Sequence, residues 1–288
     1  MTKSLIVTSA HYQSGSGNRF IYKFPVQQNF KVGDKLALVK CSIYNCVYNI
    51  SSDRGNNTFS VKWIDGNTYN YIIPDGYYSV SDLQYFISNA MYIDKLYTIP
   101  SPTSGSSESY TVYIFLTTND TAYGTTFVFI PVPTDSQASI SGITIPSGAT
   151  WTFLSTSKCP QITLSSGLQT LLGMTQNTIL PTNPNISTDE VVNSITTPTV
   201  SPCDTYILTC SLFDNVLSEH PNAFHSVPLG GHAFGEQIQD TLISPIYNDI
   251  KTGTYDSFQI EVFDQSFKSV KLLDKEAVFQ FDFVRENK

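Results

Sequence analysis

The chain has 288 residues, a formal net charge of −8, 41% apolar residues and only 14% charged ones, against about 25% charged in ordinary soluble domains. The length suits one large all-β domain or two smaller ones, and the scattered basic residues leave no cationic footprint for direct contact with nucleic acid. Thr8, His11, Gln13 and Ser14 interrupt the N-terminus before a signal-peptide core forms, and no apolar run reaches the roughly 18 residues of a membrane span, so a soluble protein made in a cytoplasm is expected.

Strand-like runs begin at Leu5, Ile6 and Val7, continue at Phe20 to Phe24 up to Pro25, and return at Leu36 to Tyr44 after a turn at Gly33 and Asp34. In the third run apolar residues point both ways, which fits a strand covered on both faces. Phe59, Val61 and Trp63 lead through Asp65-Gly66-Asn67 to Tyr69, Tyr71 and Ile73, the pattern of a hairpin. Leu83, Phe86, Ile87, Ala90 and Met91 then recur at helical spacing. Two starts, Ser79 with Asp82 and Ser81 with Gln84, have capping-box spacing, and this single helix reads as a connector.

Pro100 to Ser107 is a Pro/Ser/Gly linker. Tyr110 to Leu116 carries large groups on both faces of a strand, Phe127 and Phe129 follow, and short runs at Trp151 to Leu154 and Ile162 to Leu164 lead to an apolar helical turn at Gly167 to Met174. Thr175 to Pro202, rich in Thr, Asn and Pro, reads as a long surface excursion. Beyond it Tyr206, Leu208, Cys210 and Leu212 alternate with Ile207, Thr209 and Ser211 as in a half-buried strand, and Phe224 to Leu229 is a shorter strand. Two period-2 segments close the chain: Phe258, Ile260 and Val262, then Phe279, Phe281 and Phe283, each alternating with polar residues as in an antiparallel pair.

The search for chemistry returns little. There is no nucleophile elbow, HExxH, phosphate loop or zinc-ribbon cysteine spacing, so no catalytic residue and no cofactor are expected. His220, His225 and His232 lie close together in sequence and are the weak candidates for a metal site, with loop-capping or solvent-facing histidines as the bland alternative. Cys210 beside a histidine as a thiol nucleophile is weaker still, because a mid-strand cysteine on an apolar face is usually inert. The five cysteines are read as reduced, mostly buried thiols. Asp65-Gly66-Asn67 reads as a turn and not a calcium loop. Tyr77 and Tyr78 are candidates for stacking on sugars or bases, or for filling a sheet face or an oligomer interface. The weak charge and the 17 Tyr and 18 Phe suit a protein whose faces pack against other subunits; a polar-surfaced secreted or phage-type β-protein fits the composition equally.

The order of features carries a resemblance. "IPDGYYSVSDLQYFI" at Ile73 to Ile87, "GLQTLLGM" at Gly167 to Met174, "DTYILTCSLF", "FHSVPL" at Phe224 to Leu229 and the closing "SFQIEVFDQ…AVFQFDFV" resemble the minor capsid (penton) proteins of virophages and Polinton-type viruses, most of all those of the mavirus type. The resemblance implies a single jelly roll of two antiparallel Greek-key sheets over 1–288. It also implies homopentamers at the fivefold vertices of an icosahedral virion, beside a double-jelly-roll major capsid protein, in particles assembled in the host cytoplasm. The strand count agrees. The residues from 100 to 202 exceed ordinary jelly-roll loops, so part of that stretch is expected as an outward loop or small insertion. No interface residue is assigned from the sequence. The rival classes are a receptor- or glycan-binding β-sandwich, which would use exposed aromatics, and an enzyme on a jelly-roll scaffold, which the four histidines make a poor fit.

Overall fold

The computed structural model describes residues 2–101, 109–174, 179–201, 203–213, 220 and 222–285. In chain order the elements are β1 (Thr2–Thr8), β2 (Arg19–Phe30), β3 (Lys35–Tyr44), β4 (Thr58–Lys62), β5 (Thr68–Ile72), α1 (Val80–Ile93), β6 (Ile114–Asn119), β7 (Gly124–Phe129) and α2 (Asp135–Ser141). They continue with β8 (Gln161–Leu164), α3 (Ser166–Leu172), β9 (Ile179–Leu180), β10 (Glu190–Asn193), β11 (Thr205–Cys210), β12 (Ala223–Pro228), β13 (Gln237–Thr241), β14 (Asn248–Asp249), β15 (Gly253–Phe263) and β16 (Val278–Val284). The chain forms two compact units, Met1–Val47 with Cys203–Lys288, and Tyr48–Pro202.

In the first unit one sheet has the order β1-β16-β3-β13, with β14 also on β3, and the other has the order β12-β11-β15-β2. All pairings are antiparallel. The outermost strands of the chain pair with each other (β1 with β16), the next pair inward does the same (β2 with β15), then β3 with β13, and β11 with β12. A long hairpin rolled up in this way is a jelly roll, and its two sheets bury one core between them. Val7, Leu38, Phe279 and Phe281 from the first sheet meet Phe20, Leu208, Phe258 and Ile260 from the second. Phe20 packs edge-on to Phe279 at 5.3 Å between ring centroids.

The closing alternation works as the sequence indicates: Phe279 and Phe281 are fully buried, Phe283 is half-buried, and they stand opposite Val7, Leu5 and Lys3 of β1. β2 runs past Pro25 to Phe30. Pro25 has no N–H for the ladder, and the pairing with β15 skips there, from Lys23 opposite Ser257 to Gln28 opposite Tyr255. The stem from which the chain leaves this unit is tied down by Tyr206, whose hydroxyl donates to the Tyr44 carbonyl at 3.1 Å and accepts from the Cys46 N–H at 3.3 Å.

The second unit holds a sheet of order β5-β4-β8-β9, a sheet of order β10-β7-β6 and the three helices. Its core gathers Trp63, Phe127, Phe129 and Trp151 with Leu83, Ile87 and Met91 of α1. The helix starts at Ser79, whose hydroxyl accepts from the Asp82 N–H at 3.1 Å while the Asp82 carboxylate accepts from the Ser79 N–H at 2.9 Å. Of the two capping boxes compatible with the sequence, this is the one used.

The sequence placed 1–288 in one jelly-roll domain with part of 100–202 set aside. The chain instead divides after Val47 and after Pro202, and the hairpin β4–β5 and α1 fall in the second unit. Among the described residues three α-helices stand where one connector helix and one helical turn are expected from the sequence. α2 carries no apolar periodicity in the sequence because it buries only Ala138. The excursion expected at Thr175 to Pro202 contains β9 and β10, which pair with β8 and β7. Residues 102–107 of the expected linker, and 175–178 and 202 of the excursion, lie outside the described residues.

Candidate functional site

The three candidate histidines are not brought together. On β12, His225 places Nε2 2.8 Å from Oδ2 of Asp240 on β13. His232 sits in the turn before β13, with Nδ1 3.1 Å from Oε1 of Glu236. His220 stacks on Phe267. Each has a partner of its own, and among the described residues no cluster of three or more His, Cys, Asp or Glu is placed to hold a metal ion.

All five cysteines are buried thiols. Burial pushes the Cys210 thiol up to about 12; it does the same to Cys159, to about 12, with Glu190 adding to the effect. Cys41 is raised by burial and then by Asp240. A nucleophile needs the thiolate, and these environments oppose its formation. Asp65-Gly66-Asn67 is a hairpin turn: the Asp65 carboxylate accepts from the Asn67 N–H at 2.9 Å and from its Nδ2 at 2.7 Å, which occupies both oxygens within the turn. Tyr78 is taken up by structure, donating its hydroxyl to the Pro74 carbonyl at 2.9 Å and its N–H to Asn49 Oδ1 at 2.8 Å.

Among the exposed apolar residues, one group in each unit is clustered. In the first unit the connection from β13 to β14 carries Ile243, 99% exposed, Ile246, 73% exposed, and Tyr247 around Pro245. Single exposed apolar residues are ordinary; three within five residues on one loop form a surface with something to gain from burial. The sequence signal is the apolar run Leu242 to Tyr247, which fits neither strand nor helix periodicity. In the second unit, Tyr92 of α1 stacks on Tyr97 at 4.9 Å and 15°, and Tyr110 closes on Tyr92 at 4.9 Å, with Tyr92 and Tyr110 about half exposed.

The strand order of the first unit makes this a jelly-roll protein with a second compact unit carried between β3 and β11. No family model and no curated protein matches the sequence. Among solved structures, the crystal structure of the selenomethionine-labelled mavirus penton protein is similar, with 7% identity and a TM-score of 0.42 over 98% of this chain and 99% of that one.

Proposed function

We propose that the protein is a structural capsid subunit of the penton kind. It forms homopentamers at the fivefold vertices of an icosahedral virion beside a double-jelly-roll major capsid protein, in virions assembled in the host cytoplasm, and it acts by assembly with no reaction to catalyse. The observation that carries the reading is a complete jelly roll whose β13–β14 loop presents Ile243, Ile246 and Tyr247 to solvent. The weak surface charge and the sequence motifs of the closing strands support it. In such a ring each protomer meets its neighbours through two different faces, and a rotation that closes stops growth at a fixed number. Each contact needs roughly 1,000 Å² to be specific, and the exposed loop supplies an apolar centre for one.

Native mass spectrometry and negative-stain imaging test this. Fivefold masses and rings are expected, with a shift to monomers in the Ile243→Asp, Ile246→Asp double variant. A protein that stays monomeric or trimeric at every concentration overturns it.

A second reading, a receptor- or glycan-binding β-sandwich protein, is favoured by the Tyr92, Tyr97 and Tyr110 cluster, since stacked, half-exposed rings suit the apolar face of a sugar. Retention on a glycan array that disappears in Tyr92→Ala and Tyr110→Ala variants supports it. An array without retention removes it.

A further inference from the structure

The inward-facing row of β1 runs Val7, Leu5, Lys3, and the row beside it on β16 runs Phe279, Phe281, Phe283 and, one step past the strand, Arg285. At one end of the sandwich, therefore, the alternation that supplies core residues delivers two cations. A cavity of 390 Å³ opens there between the two sheets, inside the roughly 300 to 1,000 Å³ range of small-molecule sites. Its apolar wall comes from both sheets. Phe24, Phe30 and Phe258 stand on one side, with Phe24 5.9 Å from Phe30 and 5.7 Å from Phe258; Leu5, Leu36 and Phe283 stand on the other. Lys3 and Arg285 are the charged residues that line it, and both are positive although the chain as a whole is acidic.

Arg285 is already placed: its guanidinium lies 3.4 Å from the buried carboxylate of Asp34 and 5.4 Å from the Phe283 ring centroid. It is thus held at the opening as a positioned donor with remaining N–H groups, and Lys3, opposite Phe283 on the neighbouring strand, is a second cation on the same side of the opening. Two cations over an aromatic and aliphatic cleft recognise an anion with an apolar body, and the apolar lining favours an alkyl chain over a compact ion.

We propose that the jelly roll binds a medium-chain alkyl carboxylate, with the chain between the sheets against Phe24, Phe30 and Phe258 and the carboxylate at Lys3 and Arg285. This goes beyond assembly and does not depend on the oligomeric state. The test uses the full chain with dodecanoate and dodecan-1-ol as probes, read by native mass spectrometry and by the rise in melting temperature that a ligand specific to the folded state produces. One dodecanoate per chain is expected, with dodecan-1-ol at least tenfold weaker. Lys3→Met, an exposed change that leaves the core intact, is expected to weaken dodecanoate severalfold and leave the alcohol unchanged, and Gln28→Glu at the cavity lining is expected to do the same through like-charge repulsion. Equal affinities for acid and alcohol, no binding of either, or binding that vanishes when protomers associate because a second copy closes the opening, would each overturn the proposal.

Discussion

The two units solve the same problem, burying a large aromatic core, by different means. In the first, long strands supply the core by alternation, Phe20 and Phe30 from the twelve-residue β2 and Phe258, Ile260 and Val262 from the eleven-residue β15, and the pairing joins the ends of the chain, Thr2 opposite Val284. In the second, strands of two to six residues are supplemented by helices and by irregular segments that themselves supply Val112, Tyr113, Val132, Trp151 and Cys159 to the core. The first core cannot close until residues 1–47 and 203–288 are both present; the second is one contiguous stretch of chain. Distant pairing slows folding because loop closure precedes the contacts that reward it. The second unit is therefore the one expected to form early.

The strongest way to break this comparison is a cavity in each core. Phe281→Ala and Phe129→Ala each remove a fully buried ring and should cost about 3 to 5 kcal/mol, while Gln280→Ala, half-exposed on the opposite face of β16, should stay within about 0.5 kcal/mol. Hydrogen exchange reads where protection is lost. Phe281→Ala should strip it from the first unit and Phe129→Ala from the second; equal loss in both from either change would show that the units unfold as one.

Alkaline pH should separate the units next. Burial raises Cys41, Cys46 and Cys210 in the first unit and Cys159 in the second. An unfolded thiol gives up its proton near 9.0 whereas the folded one keeps it, so above that pH the folded state binds more protons and stability falls as pH rises. The loss is at most about 1.4 kcal/mol per pH unit for each thiol. Between pH 9 and 10, below the range of the buried tyrosines, the first unit should weaken faster. Both tryptophans, Trp63 and Trp151, belong to the second unit, so urea midpoints followed by tryptophan emission should move less than those followed by circular dichroism. Identical shifts would contradict the difference in thiol burial.

Legibility in the sequence follows the same division. The first unit's strands with a period of two, β11, β15 and β16, are visible as alternation, while β1 and β3 are visible as apolar runs, β3 with both faces covered. β13 is invisible because Gln237–Thr241 offers one apolar residue, Ile238. The boundary after Val47 is hidden for another reason. Cys46, Val47, Asn49 and Ile50 are all buried, so the chain crosses between units without any exposed, Pro-rich or Gly-rich linker. The candidate surfaces were the least legible part. Exposure of Ile243 and Ile246 is a property of the loop's conformation, and the pairing of His225 with Asp240 depends on two strands that belong to different sheets.

Smaller effects sharpen the comparison at the point where each unit is organised locally. Tyr206→Phe leaves the ring in place and deletes the two hydrogen bonds to Tyr44 and Cys46, leaving the buried Cys46 N–H without its partner at the stem. It should cost about 1 to 3 kcal/mol and raise exchange in β3 and β11 ahead of α1.

The mildest expected change lies at the start of α1. Ser79→Ala removes the oxygen that accepts the Asp82 N–H and the hydroxyl that donates to the Asp82 carboxylate at 2.6 Å, at a cost of about 0.5 to 2 kcal/mol. Ser81→Ala should cost almost nothing, because Gln84, its partner in the alternative capping box, instead donates to Ser88 Oγ at 2.7 Å. The Ser79 effect carries a pH signature. Hydrogen bonds from the Ser79 side chain, then from its N–H, hold the Asp82 carboxyl below its usual range. That contribution is present above the unfolded carboxyl's pKa and is lost as pH falls through the lowered folded value. The stability gap between the native protein and Ser79→Ala should therefore narrow in acid, whereas the Phe281→Ala gap should not. A Ser79 gap that stayed constant down to full carboxyl protonation would mean that the serine acts as a cap without its aspartate.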